Sequence, residues 1–157
     1  EITRENNVKL IINDWPDVAK EVYADGVHVG QHDTPLERAR KIMGPDKIIG
    51  GSAENLEDAL RVESAGADYV GVGSVFPTSS KGDIDILGIK GLQEIKEKLK
   101  IPVVAIGGIT SKNFTRVLDT GVKMVAVISD IFMAENITDK VKEYFERYAE
   151  YAHRIDY

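Results

Sequence analysis

The chain has 157 residues, enough for one domain with a buried core, and it has no cysteine. Disulfides and thiolate metal sites are thereby excluded, and a reducing compartment such as the cytoplasm is expected. The net charge of −6, with acidic and basic residues interspersed, argues against a nucleic-acid partner. No apolar run reaches the roughly 18 residues of a membrane-spanning helix, so no membrane partner is expected either.

Short β-branched runs alternate with amphipathic segments of helical length. Val8 to Asp14 (VKLIIND) predicts a strand, followed by a helix near Pro16 to Tyr23. Gly26 to Gln31 (GVHVGQ) predicts the next strand, and PLERARKIM a helix with Pro35 in its first turn. Lys47 to Ser52 and then NLEDALRVESAG repeat the pattern, the latter with Leu56, Ala59, Leu60 and Val62 at helical spacing. YVGVGSVF, a helix around Ile89 to Leu99, PVVAIGGI, a helix near Lys112 to Asp119, and MVAVIS follow. A last helix from about Thr138 carries Tyr144, Tyr148 and Tyr151, expected to cover the barrel or a subunit interface.

The strands read as apolar throughout, the mark of a parallel sheet covered on both faces. A doubly wound sheet and a (β/α)8 TIM barrel both satisfy this α/β alternation. The barrel is favoured because polar residues follow nearly every strand: Asn13 and Asp14, Gln31 and Asp33, Ser52, Thr78 to Lys81, and Ser129. Barrel active sites collect at that end of the strands. No G-x-G-x-x-G fingerprint opens a helix. Residues 1–157 are expected to form a single, partial TIM-barrel domain. With six strands and Glu1 in place of an initiator methionine, its first two βα units are expected to be absent.

Three groups carry candidate chemistry. Asp14 and Asp33 each close a strand, and neighbouring strands lie about 4.8 Å apart, so two such carboxylates can share one Mg2+; capping of the following helices is the alternative. FPTSSKGD combines the hydroxyls of Thr78, Ser79 and Ser80 with the point charge of Lys81, suited to phosphate, or forms an ordinary solvated loop. Gly107 and Gly108 in AIGGIT let backbone approach an anion, with Ser129 adding a hydroxyl near a helix N-terminus; a plain strand-to-helix turn is the alternative. His28 is either packed in the interior or part of a pocket wall, and packing is expected. His32 is assigned to a loop and His153 to the tail.

The blocks LIIND, ADGVHVGQHD, IIGGS, ADYVGVGSVFPTSSK, IPVVAIGGIT and GVKMVAVIS occur in that order from about Leu10 to Glu135. Their order resembles the thiamin phosphate synthase family. The resemblance implies a (β/α)8 barrel that joins hydroxymethylpyrimidine pyrophosphate to thiazole phosphate, giving thiamin phosphate and pyrophosphate by a dissociative, Mg2+-assisted route. It implies Asp14 and Asp33 as metal ligands and Asn13 as a pyrimidine contact. Ser52 and Lys81 are the implied catalytic groups around the pyrophosphate, while Thr78 and Ser80 meet the thiazole phosphate. Gly107 or Gly108, with Val127, Ile128 and Ser129, cradle that phosphate. The implied partners are small phosphorylated substrates, with a homo-oligomer an open possibility. The family's glutamine-arginine-lysine motif of the second strand has no counterpart here and is expected upstream of Glu1. Trp15 and Glu54 also depart from the family pattern. A thiazole tautomerase-like barrel and a catalytically incompetent phosphate-binding fragment are the alternatives.

Overall fold

Residues 1–78 and 86–155 are described by a computed structural model. Its elements run α1 (Ile2–Glu5), β1 (Ile11–Asn13), α2 (Pro16–Glu21), β2 (Gly26–Val29), α3 (Leu36–Met43), β3 (Ile48–Ala53) and α4 (Leu56–Ser64). The second half comprises β4 (Tyr69–Val72), α5 (Gly88–Lys98), β5 (Val103–Ile106), α6 (Phe114–Leu118), β6 (Met124–Ala126), α7 (Ser129–Phe132) and α8 (Ile137–Ile155). Every expected strand and helix is present, though β1 and β4 are shorter than their apolar runs. The short helices α1 and α7 carry no periodic apolar face and were not expected. Pro35 sits at the N-cap of α3 rather than inside its first turn.

The six strands pair in parallel in the unbroken order β1-β2-β3-β4-β5-β6. A doubly wound sheet would reverse direction at a switch point; this sheet does not. It is also curled. Laid flat, five inter-strand steps would hold β1 and β6 about 24 Å apart, yet Asn13 at the end of β1 and Ser129 after β6 line one cavity.

The two faces of the sheet differ, which the apolar reading of the strands did not anticipate. Val27, Val29, Ile49, Val70, Val72, Val103 and Ala105 point outward and are almost fully buried beneath the helices. There they meet Ala19, Ala39, Ala59, Leu92, Ile95 and Val117 in two clusters, one under α2 and α3 and one under α4, α5 and α6. Their alternate neighbours, His28, Ser52, Tyr69, Gly71, Val104 and Ile106, face the cavity. Local signals set the helix starts. Asn55 caps α4 by accepting from the Asp58 N–H at 2.9 Å while donating to the Asp58 carboxylate at 2.8 Å. On α8, Tyr144 packs against the core through Phe114, with ring centroids 5.3 Å apart, whereas Tyr148 is mostly exposed.

Stability therefore resides on the outer face. Leu92 is fully buried, and Leu92→Ala is expected to cost about 3 kcal/mol in urea denaturation. Leu60→Ala, at a half-exposed position of α4, is expected to cost less than about 1 kcal/mol.

Candidate functional site

A cavity of about 560 Å³ lies along the inner face toward the C-terminal strand ends. Of the residues expected to carry chemistry, Asn13, Asp14, Asp33, Ser52, Thr78, Gly107, Gly108, Ile128 and Ser129 all line it. Val127 does not; its side chain packs against the core, leaving only its backbone for a ligand. Ser80 and Lys81 lie outside the described residues.

Neither aspartate caps a helix. The N-cap of α2 is Trp15 and that of α3 is Pro35, both without a side-chain cap hydrogen bond. Asp14 takes a left-handed backbone conformation, φ 66°, uncommon outside glycine and a recurrent feature of functional sites. Its N–H donates to the His28 carbonyl at 2.8 Å, which fixes it beside β2. The Asp33 carboxylate folds back over its own loop and accepts from the Gly30 N–H at 2.7 Å. A Cβ on Gly30 would come within 2.7 Å of that carboxylate, which would have to shift to make room. The two acids thus stand at neighbouring strand ends on one cavity wall. Among the described residues no group of three or more histidines and carboxylates gathers. A pair of carboxylates with open space suits Mg2+, which takes one or two and completes its shell with water and phosphate oxygens.

Across the cavity, Gly107 and Gly108 both have positive φ, 99° and 61°. A Cβ on Gly108 would run into the Pro77 and Phe76 carbonyls, so the turn stays bare of side chains and lies against the start of the loop after β4. Asn113 braces it, accepting from the Thr110 N–H at 2.8 Å and donating to the Gly108 carbonyl at 3.0 Å. Ser129 opens α7, which is a single turn of four residues. Backbone N–H groups and the hydroxyl, rather than the dipole of a long helix, are what this side offers an anion.

His28, expected to be packed, instead joins the wall between these two sides. Its Nε2 lies 2.9 Å from Ser52 Oγ and its Nδ1 2.9 Å from the Tyr69 hydroxyl. Burial pushes the Tyr69 hydroxyl above its usual range, so it stays protonated. In the tautomer in which Tyr69 donates to Nδ1, the ring donates through Nε2 to Ser52 and leaves the serine O–H available to a ligand. Space for the two rings comes from glycines on adjacent strands. A Cβ on Gly50 would overlap the Tyr69 ring, and one on Gly71 would press on His28 at 3.0 Å. The spacing-by-two of Gly50 with Ser52 and of Tyr69 with Gly71 was the available signal for this arrangement.

A second group missed from sequence is Asp58, buried although charged. Gln31 Nε2 donates to it at 2.7 Å, tying the Gly30–Asp33 loop to the start of α4. Burial alone would raise this carboxyl, but the hydrogen bonds from Gln31, Arg61 and the Glu54 N–H outweigh burial and hold it below its ordinary value.

Fold and cavity together define the class, a singly wound β/α protein with its site at the C-terminal strand ends. The family model for thiamine monophosphate synthase matches residues 1–131. The chain is 54% identical over 138 residues to the thiamine-phosphate synthase of Clostridium novyi, covering 87% of this chain and 68% of that protein. It is 48% identical over 145 residues to the thiamine-phosphate synthase of Clostridium acetobutylicum, covering 92% and 69%. A solved thiamine phosphate pyrophosphorylase from Pyrococcus furiosus superimposes with a TM-score of 0.88 at 46% identity, covering 96% of this chain and 72% of that one. The chain belongs to the thiamine monophosphate synthase family.

Because the folded Asp58 pKa is depressed, its contribution to stability is present above the ordinary carboxylate range and lost as pH falls through the folded value. Asp58→Asn is expected to lower the melting temperature at pH 7, and the gap to wild type should narrow below about pH 4. Thermal melts from pH 7 to pH 3 check this; a gap independent of pH would contradict it.

Proposed function

We propose that the protein is a thiamine-phosphate synthase, displacing pyrophosphate from hydroxymethylpyrimidine pyrophosphate with the ring nitrogen of thiazole phosphate. The observation that carries this reading is the pairing of Asp14 and Asp33, neither of them a helix cap, across one cavity from the glycine turn and Ser129. Two paired carboxylates serve metal-assisted departure of pyrophosphate, whereas a proton-transfer isomerisation needs a single general acid/base and has less use for a Mg2+-binding pair, so the synthase reading is preferred to a tautomerase-like one.

Asp14 and Asp33 would hold Mg2+, which when bound neutralises charge on the pyrophosphate. The roles of the chain's own residues follow from the resemblance and from position. Asn13 contacts the pyrimidine. Ser52, oriented by His28, and Lys81 donate to the pyrophosphate oxygens as the methylene C–O bond breaks and its electron pair leaves with the pyrophosphate. The electron-rich pyrimidine supports the resulting methylene cation, and the thiazole nitrogen lone pair forms the new C–N bond. Thr78 and Ser80, with Gly107, Gly108, Ser129 and the backbone of Val127 and Ile128, hold the thiazole phosphate so that the capture is between preassembled partners. No protein nucleophile takes part.

The finer architecture belongs to the same proposal: residues 1–157 form one domain whose six strands are part of a closed eight-stranded barrel. Supporting this are the curl of the sheet, the single strand partner of β1 and of β6 among the described residues, and the 68–72% of each relative's length that the chain spans.

The test is pyrophosphate release by the natural gene product with both substrates and Mg2+. Asp33→Asn and Lys81→Ala are each expected to lower kcat/KM at least about a hundredfold. Full turnover in both variants would overturn the reading.

A further inference from the structure

Behind the glycine turn and Ser129, facing away from the cavity, lies a polar network that the proposed chemistry does not use. Ser111, three residues past Gly108, is 2% exposed. Its N–H donates to Asp130 Oδ2 at 3.0 Å, and its hydroxyl donates to Glu143 Oε1 at 2.9 Å and accepts from Lys140 Nζ at 3.4 Å. Asp130 directly follows Ser129, and the same Oδ2 accepts from the Tyr144 hydroxyl at 2.8 Å. Lys140 donates to Glu143 Oε2 at 2.8 Å and stands 3.9 Å from Asp130, while Arg147 donates to Glu143 Oε1 at 3.0 Å. Three pieces of chain therefore meet: the end of the turn after β5, the start of α7 after β6, and one face of α8.

These contacts are directional, charge-assisted and mutually bracing. The hydrogen bond from Lys140 leads those from Ser111 and Arg147 in drawing the Glu143 carboxyl down to about 2, so it remains an anion at any working pH. The Tyr144 hydroxyl is held well above its usual range by burial and by its bond to Asp130, so it remains a donor. Elsewhere α8 meets α6 through the apolar contact of Phe114 with Tyr144 and, at the far end, through the exposed pair of Arg154 with Asp119 at 3.7 Å. An apolar contact fixes a distance less sharply than a carboxylate gripped from two sides.

We propose that Asp130, Glu143 and Tyr144 are positioning residues that set the separation of the Gly107–Gly108 turn from Ser129, and hence the affinity for the phosphate bound between them. This rests on the reading above that these two turns hold the thiazole phosphate. The long C-terminal helix then serves substrate affinity as well as covering the core.

Steady-state kinetics of the natural gene product at saturating Mg2+ test this. Tyr144→Phe keeps the ring on Phe114 and removes only the hydroxyl. It is expected to raise KM for thiazole phosphate about tenfold, with kcat and KM for the pyrimidine pyrophosphate within about twofold of wild type. Glu143→Gln, which keeps an acceptor for Ser111 but not the charge, is expected to give a smaller change of the same kind. Ser129→Ala is the control for the cradle itself. A raised thiazole KM in Ser129→Ala with none in Tyr144→Phe and Glu143→Gln, or a lowered melting temperature in these two with both KM values unmoved, overturns the positioning role alone. An unmoved thiazole KM in Ser129→Ala and in Gly108→Ala overturns the cradle, and the positioning role with it.

Discussion

Unbroken parallel pairing of six strands is the constraint on which the rest of this structure depends. Parallel strands all end on the same side, and a strand order that never reverses lets the sheet curl in one direction. The curl brings the ends of β1 and β6, which a flat sheet would hold far apart, around a single cavity. Asp14, which follows the first strand, and Ser129, which follows the last, come to line one cavity only through that curvature. The loops have little to do beyond presenting a carboxylate, a hydroxyl or a bare backbone where the curl has aimed them.

The curl also divides labour between the two faces. Outward-pointing Val, Ile and Ala bury themselves under the helices and account for the hydrophobic stabilisation. The inner face is relieved of that duty, which is why it tolerates glycine at 50 and 71 and polar groups at 28, 52 and 69. Those polar groups are expensive to bury unless satisfied. Among the described residues no buried side-chain nitrogen or oxygen lacks a partner. Tyr69, His28 and Ser52 satisfy one another, and in doing so they fix the orientation of the serine. The same economy appears behind the site, where Ser111 and Asp130 are satisfied by α8.

The strands were legible because β-branched runs such as Ile48–Ile49 and Val103–Val104 have no other convincing use, and the helices because Leu56, Ala59 and Val62 repeat at helical spacing. Asp14, Asp33, the two glycines and Ser129 were legible as polar punctuation at strand ends. Their choice between capping and binding was not, since a cap is defined by backbone geometry that composition does not encode. His28 was misassigned to packing because VHVG reads as an apolar strand; only the registers Gly50↔Tyr69 and His28↔Gly50 bring the rings and the glycine together. Asp58 and Asp130 were invisible for a related reason. Each looks like an ordinary helix-start acid, and its partners lie 27 residues away at Gln31 and 19 and 14 residues away at Ser111 and Tyr144.

The central claim is that the strand-end carboxylates and the glycine turn share one site. Phosphorus NMR of thiazole phosphate with Mn2+ in place of Mg2+ tests it most directly, because a paramagnetic ion relaxes a phosphorus nucleus only at short range. Fast relaxation of the bound phosphate in the wild-type protein, abolished by Asp33→Asn while the phosphate still binds, is the predicted result. Bound thiazole phosphate whose relaxation is indifferent to Mn2+ would separate the two halves of the cavity and contradict the account.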